Sequence, residues 1–207
     1  MDAPLNPLPE AFGKEDDGDD ALFYRPPRLV SHIDDAATAA LTAHYAARLT
    51  GGADVLDLMS SWVSHLPDGP SLGEVVGHGM NAVELAANPR LSRWFVQDLN
   101  RDPILPLATA SLDAVLCCVG VQYLQRPVEV FSDVSRALRP SGRVIVSYSN
   151  RCFPTKAIAA WLALDMSGRA ALVGRYLGAA GFGRVEVAVL ADGRRSDPLV
   201  VVEGQVS

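Results

Sequence analysis

Short apolar runs alternate along the chain with segments that place apolar residues at helical spacing. Uninterrupted apolar runs are typical of strands buried on both faces, whereas the spacing i, i+3, i+4 indicates helices that cover them. The runs predict strands at residues 53–58, 71–77, 94–98, 112–121, 143–149, 185–190 and 199–203. Helices are predicted at residues 81–87, 127–138, 155–164 and 169–180.

Strands that alternate with helices favour an α/β fold, a doubly wound and mostly parallel sheet. The last two strands are joined by one turn-rich segment, ADGRRSDP, so they are expected to form an antiparallel hairpin. Ligands of such sheets bind beyond the carboxyl ends of the strands, where the strand order reverses. A site is therefore expected on the loops that follow Leu58, Gly77, Gln97, Val119 and Ser147.

The first 52 residues precede this alternation and predict two further segments. Residues 1–21 are rich in proline and then acidic, and we expect a solvated or disordered tail, since the acids lack the ligand pattern of a calcium loop. Residues 22–52 are expected to form a lid segment and a helix, capped by Ser31, Asp34 or Asp35 and stopped by Gly51-Gly52. The helix predicted within residues 22–52 carries on one face Ile33, Ala37, Leu41, Tyr45 and Leu49. Residues 53–207 are expected to form the α/β domain.

Composition narrows the functional classes. A chain of 207 residues suits one domain, and its net charge of −6 with dispersed Lys and Arg gives a nucleic-acid partner little support. No apolar run approaches the ~18 residues of a membrane span, and no signal peptide is visible, so a soluble, cytoplasmic protein is expected. Cys117 and Cys118 lie inside an apolar run and are expected to fill core.

The loop after the first strand is unusual. The stretch VLDLMSSWVSHLPDG starts like the first strand of a nucleotide-binding protein, but its loop, residues 59–63, contains no glycine. Glycines in such loops allow positive φ and close approach of a ligand, and another residue there costs about 1–3 kcal/mol. We therefore expect this loop to follow a different path.

Four segments resemble, in order and spacing, the class I S-adenosylmethionine-dependent methyltransferases of the type 11 kind. They are VLDL, LPLATASLDAVLCCVGVQYL, VFSDVSRALRPSGRVIVS and LGAAGFGRVEV, and the resemblance runs from about Asp54 to Val202. The segments FYRPPRLVSHIDD, SSWVSH and SNRCF also resemble a methyltransferase-like subgroup that shares the glycine-free loop. The resemblance implies a seven-stranded Rossmann-like fold that binds S-adenosylmethionine.

The resemblance also implies roles for individual residues. Asp98 matches an acid that contacts the adenine amino group, and the backbone amide of Leu99 follows it. Met80 matches an apolar residue on the adenine face, and Asp57 matches an acid near the methionine part of the cofactor. Asn100 and Val119, on the loops after the third and fourth strands, complete this part of the expected set.

The ribose contacts depart from the family pattern. Gly79 stands where an acid normally ends the second strand and binds both ribose hydroxyls. We expect His78, Gly79 and Asn81 to reach the ribose through backbone and amide groups. The hydroxyls of Ser60 and Ser61 are expected to bind a carboxylate or to cap the next helix.

Methyl transfer is an in-line displacement, so orientation of the acceptor matters more than a general base. Candidate catalytic residues are Tyr123, Asn150, Arg151 and His32, with Arg28 beside them on the lid segment. Each has an alternative structural role: packing, surface charge or orientation of the capping acids. The expected acceptor is a small molecule, with a protein as the alternative.

Other functions remain as alternatives. If the protein has this fold but no methyltransferase activity, it would be a methyltransferase-like binding or scaffold protein. Trp62 and Val63 would then be core residues that fill the space left by the missing glycine-rich loop. A hydrolase would need a nucleophile elbow, and Ser64 beside His65 does not supply one. A nicotinamide dehydrogenase lacks its Gly-x-Gly-x-x-Gly turn. The four histidines show no ligand spacing, so no metal is expected.

Overall fold

The computed structural model describes residues 9–206, which are built around a seven-stranded sheet. The strands lie in the order β3-β2-β1-β4-β5-β7-β6, and β7 runs antiparallel to both of its neighbours while the other pairs are parallel. This confirms the doubly wound sheet with a C-terminal hairpin. The strands are β1 (Val55–Leu58), β2 (Val75–Gly79), β3 (Arg93–Val96), β4 (Leu112–Cys118), β5 (Leu138–Tyr148), β6 (Arg184–Ala191) and β7 (Leu199–Gln205).

Six α-helices accompany the sheet in the described part of the chain. They are α1 (Asp20–Tyr24), α2 (Asp35–Ala46), α3 (Ala82–Ala87), α4 (Pro127–Ala137), α5 (Ala159–Leu162) and α6 (Met166–Ala179). Short 3₁₀ helices span Pro9–Phe12, Val121–Tyr123 and Pro154–Lys156. Within residues 9–206, no helix is both long and apolar enough to cross a membrane.

The apolar strands are buried because the sheet is covered on both faces. Successive side chains of a strand point to opposite faces, so Val115 joins one core with α4, α5 and α6, and Leu116 joins the other with α2. Both side chains are fully buried, and each such burial stabilises the fold by about 1.5–3 kcal/mol. Cys117 lies in the first of these cores, as predicted, and Cys118 packs against the second.

Some element boundaries differ from the prediction. The second strand runs to Gly79 instead of Gly77, because His78 and Gly79 pair with Phe95 and Val96 of β3. The helix predicted at residues 155–164 is interrupted, since Ile158 leaves the helical path to pair with Lys14.

The acidic segment before α1 is ordered, which corrects the prediction of a solvated or disordered tail for residues 9–21; residues 1–8 lie outside the described part. The Nζ atom of the buried Lys156 lies 3.0 Å from Asp16 Oδ2 and 3.1 Å from Asp20 Oδ1. Lys14 Nζ lies 2.5 Å from Asp20 Oδ2. Burial opposes the charge on Lys156, but its hydrogen bonds to the two acids outweigh this and raise its pKa. Opposite charges therefore fix this segment to the domain.

The predicted capping residue of α2 is also confirmed. Asp34 Oδ1 accepts a hydrogen bond of 2.8 Å from the N–H of Ala37. The helix ends at Ala46, before Gly51-Gly52, and Gly52 turns the chain toward β1 with φ of 78°. The cap places residues 22–34 over the carboxyl ends of the strands.

Candidate active site

A cavity of about 460 Å³ lies at the carboxyl ends of β1, β2, β3 and β4. The strand order reverses between β1 and β4, which is where ligands of doubly wound sheets bind. Its size lies within the range of small-molecule and cofactor sites. One part of its wall comes from the segment before α2, residues 20–34, which we call the head segment; residues 20, 24, 28 and 30–34 of it line the cavity. The rest of the wall comes from the loops at the strand ends and from two single residues: 59–61, 78–81, 97–100, 118–120, 123–124, 151–153, Glu84 and Asp197.

The glycine-free loop begins with a residue in the left-handed conformation. The expectation that this loop follows a different path from a glycine-rich one stays a prediction. Met59 has φ of 59°, a conformation that normally favours glycine, and its side chain packs against the core. The glycine that makes this possible is Gly120 on the neighbouring loop, where an added Cβ would lie 2.8 Å from Met59 Cβ. Val119 also has a positive φ, 50°. Backbone strain is thus concentrated on the floor of the cavity, as is common at functional sites.

His78 holds the loop after β1 against the loop after β3. The backbone N–H of Met59 donates to His78 Nδ1 (3.1 Å), so Nε2 carries the proton and donates to the carbonyl of Gln97 (3.0 Å). Burial lowers the pKa of His78 to about 4, despite the hydrogen bond to Gln97. The ring is therefore neutral and fully bonded, and it positions the loops.

Asp57 lies behind the loop and does not line the main cavity, contrary to its expected place near the methionine part of the cofactor. Its Oδ2 accepts hydrogen bonds from Ser60 Oγ (2.6 Å) and Ser64 Oγ. It borders a separate small cavity of about 30 Å³. Burial raises the pKa of Asp57 to about 6, although the two hydroxyl groups oppose the shift.

The end of β2 has no room for the missing acid. A Cβ on Gly79 would lie 2.5 Å from the carbonyl oxygen of Ser60, closer than any real Cβ contact. The amide of Asn81 is already used: Oδ1 caps α3 at Val83 and Glu84, and Nδ2 donates to the carbonyls of Tyr24 and Arg25. Both residues line the cavity, but Asn81 joins the head segment to α3.

The loop after β3 presents the residues expected to face an adenine. Asp98 Oδ1 accepts from the N–H of Asn100 at 2.9 Å, which fixes the turn, and Leu99 is buried beneath it. Asn100 Nδ2 donates to Asp20 Oδ2 (3.1 Å) and to the carbonyl of Tyr123 (3.0 Å). Met80 is half-buried in the same wall. The second carboxylate oxygen of Asp98, Oδ2, lies 3.5 Å from Arg101 Nε.

Two of the candidate catalytic side chains from the end of the sheet reach the cavity. The hydroxyl of Tyr123 accepts from the N–H of Phe153 (2.9 Å), and burial raises the pKa of Tyr123 to about 12, so it is a neutral donor. Arg151 Nε donates to Asp197 Oδ1 at 3.0 Å. Asn150 is exposed and does not line the cavity, because the chain turns outward after β5.

The head segment supplies the opposite wall. Arg28 lies with its guanidinium carbon 4.4 Å from the ring centre of Phe23 and 5.4 Å from that of Phe153, a cation–π arrangement. His32 also lines the cavity, and burial lowers its pKa, so its imidazole is neutral. Trp62 is not in this wall; its Nε1 donates to the carbonyl of Val30 at 3.0 Å and ties the head segment down.

Several cavity residues escaped the sequence analysis. Glu84 occupies the third position of α3 after its Asn81 cap, which is a capping-box pattern, but its carboxylate binds Ser61 and the backbone of Arg28 instead of the cap. The pattern could have drawn attention to it. Asp20 and Asp197 come from distant parts of the sequence, and no local signal places them here.

Charged side chains of both signs line the cavity. Five carboxylates, those of Asp20, Asp34, Glu84, Asp98 and Asp197, line it with two arginines, Arg28 and Arg151. Ion pairs with Lys14, Lys156 and Arg101 offset the charges of Asp20 and Asp98. No cluster of metal-ligating side chains occurs among residues 9–206.

Comparisons with known proteins find similar sequences and similar folds. A family model described as a methyltransferase domain matches residues 74–146, from the start of β2 into β5. The matched residues are about a third of the chain and include the loops after β2, β3 and β4. Over this part, the chain is similar to methyltransferase domains.

A curated relative, malonyl-[acyl-carrier protein] O-methyltransferase of Hahella chejuensis, is 31% identical over 102 residues, or 45% of this chain. The chain spans about a third of the length of that relative, since the match covers 36% of it.

Solved structures show the same fold. An S-adenosylmethionine-dependent methyltransferase from Mesorhizobium loti is 18% identical with a TM-score of 0.56, covering 82% of this chain and 99% of that one. A methyltransferase from Aquifex aeolicus is 15% identical with a TM-score of 0.59, covering 91% and 97%.

Proposed function

We propose that this protein transfers a methyl group from S-adenosylmethionine to a small-molecule acceptor. One observation carries the proposal: a single cavity at the strand ends gathers every predicted cofactor-binding residue except Asp57. Residues from four separate loops would not converge on a retained void without a ligand to bind there.

The lining fits the parts of this cofactor. Asp98 and the amide of Leu99 would hold the adenine edge, and Met80 would pack on its face. Ser60 and Ser61 line the same cavity, but their hydroxyls donate to Asp57 and Glu84, so only their oxygen lone pairs would be available to the ligand.

When bound, S-adenosylmethionine supplies a methyl group activated by its positive sulfur. The protein's own contribution is to position an acceptor in line with that group and to exclude water. The head segment performs the second task, since Tyr24, Arg28 and His32 all lie on the cavity wall opposite the sheet.

The side chains near the acceptor also limit its chemistry. Tyr123 stays protonated at neutral pH and can donate a hydrogen bond, whereas the neutral His32 can accept a proton. An acceptor that is already nucleophilic, such as a carboxylate, needs neither. The relative from Hahella chejuensis is named for O-methylation of a malonyl group, so small carboxylic acids are the first acceptors to test.

The function is tested by calorimetric titration with S-adenosylmethionine and with S-adenosylhomocysteine. We expect dissociation constants in the micromolar range and thermal stabilisation by both. Transfer of a radiolabelled methyl group to a panel of small carboxylic acids, phenols and amines then identifies the acceptor class. Absence of heat and of stabilisation at millimolar ligand would favour a non-enzymatic scaffold.

A further inference from the structure

The end of β2 cannot carry a carboxylate while the glycine-free loop keeps its path. The carbonyl of Ser60 lies 2.5 Å from the place of a Cβ on Gly79, and Leu85 Cδ2 lies 3.3 Å from the same point. Backbone oxygen is not free to move aside as a side chain is. The loop therefore excludes the acid that this position would otherwise supply to a sugar.

A carboxylate is nevertheless present beside that place. Glu84 lies in the first turn of α3, and its side chain lines the cavity. Its Oε2 accepts a hydrogen bond of 2.6 Å from Ser61 Oγ, and its Oε1 accepts one of 2.6 Å from the backbone N–H of Arg28. Ser61 is the next residue after the carbonyl that blocks Gly79, so the same loop excludes one acid and binds another.

The carboxylate of Glu84 has capacity left for a ligand. An ionised carboxylate offers about four lone-pair positions, and in the structure protein donors use one on each oxygen. Two neighbouring hydroxyl groups on a sugar can donate to the two remaining positions, and hydrogen bonds to a charged acceptor are the stronger kind.

The other acids of the cavity are engaged elsewhere. Asp20 is paired with Lys14 and Lys156, and Asp34 and Asp197 each accept a hydrogen bond from the other's backbone N–H. Asp98 lies on the loop after β3. Among the described residues, Glu84 is the carboxylate that both faces the cavity and touches the loop after β1.

We propose that Glu84 binds the two ribose hydroxyls of the cofactor and so replaces the acid that β2 lacks. This inference rests on the proposed function. Because Arg28 belongs to the head segment, the same carboxylate joins ribose recognition to closure of the cavity. Only the full nucleoside, with both hydroxyls, satisfies both oxygens.

The test compares S-adenosylhomocysteine with its 2′-deoxy analogue in calorimetric titrations. We expect the unmodified protein to prefer the ribose form by about tenfold. Glu84→Gln should weaken binding of S-adenosylhomocysteine by about tenfold and reduce the preference to threefold or less. Glu84→Asp, which withdraws the carboxylate by one methylene and keeps its charge, should also lose most of the preference.

Two controls separate recognition from folding. Glu129→Gln makes the same chemical change at an exposed ion pair with Arg126 and should leave both affinities unchanged. Asp98→Ala should weaken both ligands by a similar factor and keep the ribose preference. Thermal unfolding of each variant establishes that it is folded.

The outcomes are distinguishable. Retention of the full ribose preference by Glu84→Gln or Glu84→Asp would overturn the inference, because Glu84 would then only hold Arg28 and Ser61. Equal binding of the two nucleosides by the unmodified protein would overturn it as well and leave the proposed function intact. Failure of the unmodified protein to bind either ligand would overturn both.

Discussion

The two sides of the cavity are built in different ways. On the side of β3 and β4, Asp98 and Leu99, the residues predicted to face the adenine, lie on a turn fixed by a hydrogen bond from Asn100 N–H to Asp98. On the side of β1 and β2, both the glycines and the ribose-binding acid are missing, and side chains fix the backbone instead. His78 holds Met59, and the buried Asn88 donates from Nδ2 to Ser61 O and Ser64 Oγ, both at 2.9 Å.

This difference shows that a loop with a strained backbone can be stable when neighbouring side chains form hydrogen bonds to it. A left-handed residue other than glycine costs about 1–2 kcal/mol. Each buried hydrogen bond contributes about 0.5–1.5 kcal/mol, so His78, Asn88 and Asp57 together offset the strain at Met59. Glycine adopts the left-handed conformation without strain, whereas in this chain hydrogen bonds from neighbouring side chains offset the strain.

The largest effect is expected from restoring the acid at the end of β2. Gly79→Asp should lower the free energy of unfolding by at least about 3 kcal/mol, because the new Cβ overlaps the Ser60 carbonyl and the loop must move. Chemical denaturation measures this. Gly79→Ala is the matched control for the Cβ alone and should lose nearly as much. A stable Gly79→Asp protein with tighter cofactor binding would show that the loop is free to adopt the family path.

A second prediction concerns the carboxylate under the loop. Burial raises the pKa of Asp57 from 3.8 to about 6, so the folded protein holds this proton more tightly than the unfolded chain does. Relative to Asp57→Asn, the unmodified protein should be most stable below about pH 4. That advantage should be lost as the pH rises to about 6, by up to about 3 kcal/mol.

Denaturant unfolding of both proteins across this pH window isolates the contribution of Asp57, since every other group is shared. Parallel stability curves from pH 4 to 7 would contradict the raised pKa and the tight enclosure of this carboxylate.

The third prediction tests the conventional side. Asp98→Ala should weaken S-adenosylhomocysteine binding severalfold, about 1 kcal/mol, by removing the adenine acceptor. Asp98→Asn keeps an oxygen that accepts the hydrogen bond from Asn100 but removes the negative charge. Comparison of the two variants therefore separates the effect of the charge on affinity from the effect of the turn. Unchanged affinity in calorimetry would mean that the adenine lies elsewhere.

The smallest effect is expected at Trp62. Trp62→Phe loses the 3.0 Å hydrogen bond to Val30 and should cost about 0.5–1 kcal/mol of stability, with at most a threefold loss of cofactor affinity. Trp94→Phe, at the exposed edge of the sheet, is the matched control. Tighter binding by Trp62→Phe would show that the indole competes with the cofactor for space.

The architecture could be predicted from the sequence because buried strands have a recognisable local pattern of apolar residues. Apolar runs such as that around Val115 and Leu116 predict strands covered on both faces, and Asn81 and Asp34 predict their helix starts through capping chemistry. The antiparallel hairpin followed from one short connection between β6 and β7.

The site was only partly predictable, since its details depend on contacts between distant segments. The left-handed conformation of Met59 depends on Gly120, and the order of the acidic segment depends on Lys156, about 140 residues from Asp16. The exposure of Asn150 depends on how the chain turns after β5. Local sequence patterns carry none of this information, whereas the Asn81–Glu84 capping pattern carries a little of it.

The ion pairs of Lys14 and Lys156 have a practical consequence for handling this protein. The pairs of Lys156 with Asp16 and Asp20 connect the acidic segment to the loop after β5, and Asp20 forms part of the cavity wall. A chain shortened to begin after residue 21 would leave the buried Lys156 without its two counter-ions and would remove Asp20 from the cavity wall. Concentrated salt would weaken the more exposed Asp16 contact first, so ionic strength is a variable to hold constant when ligand affinities are compared.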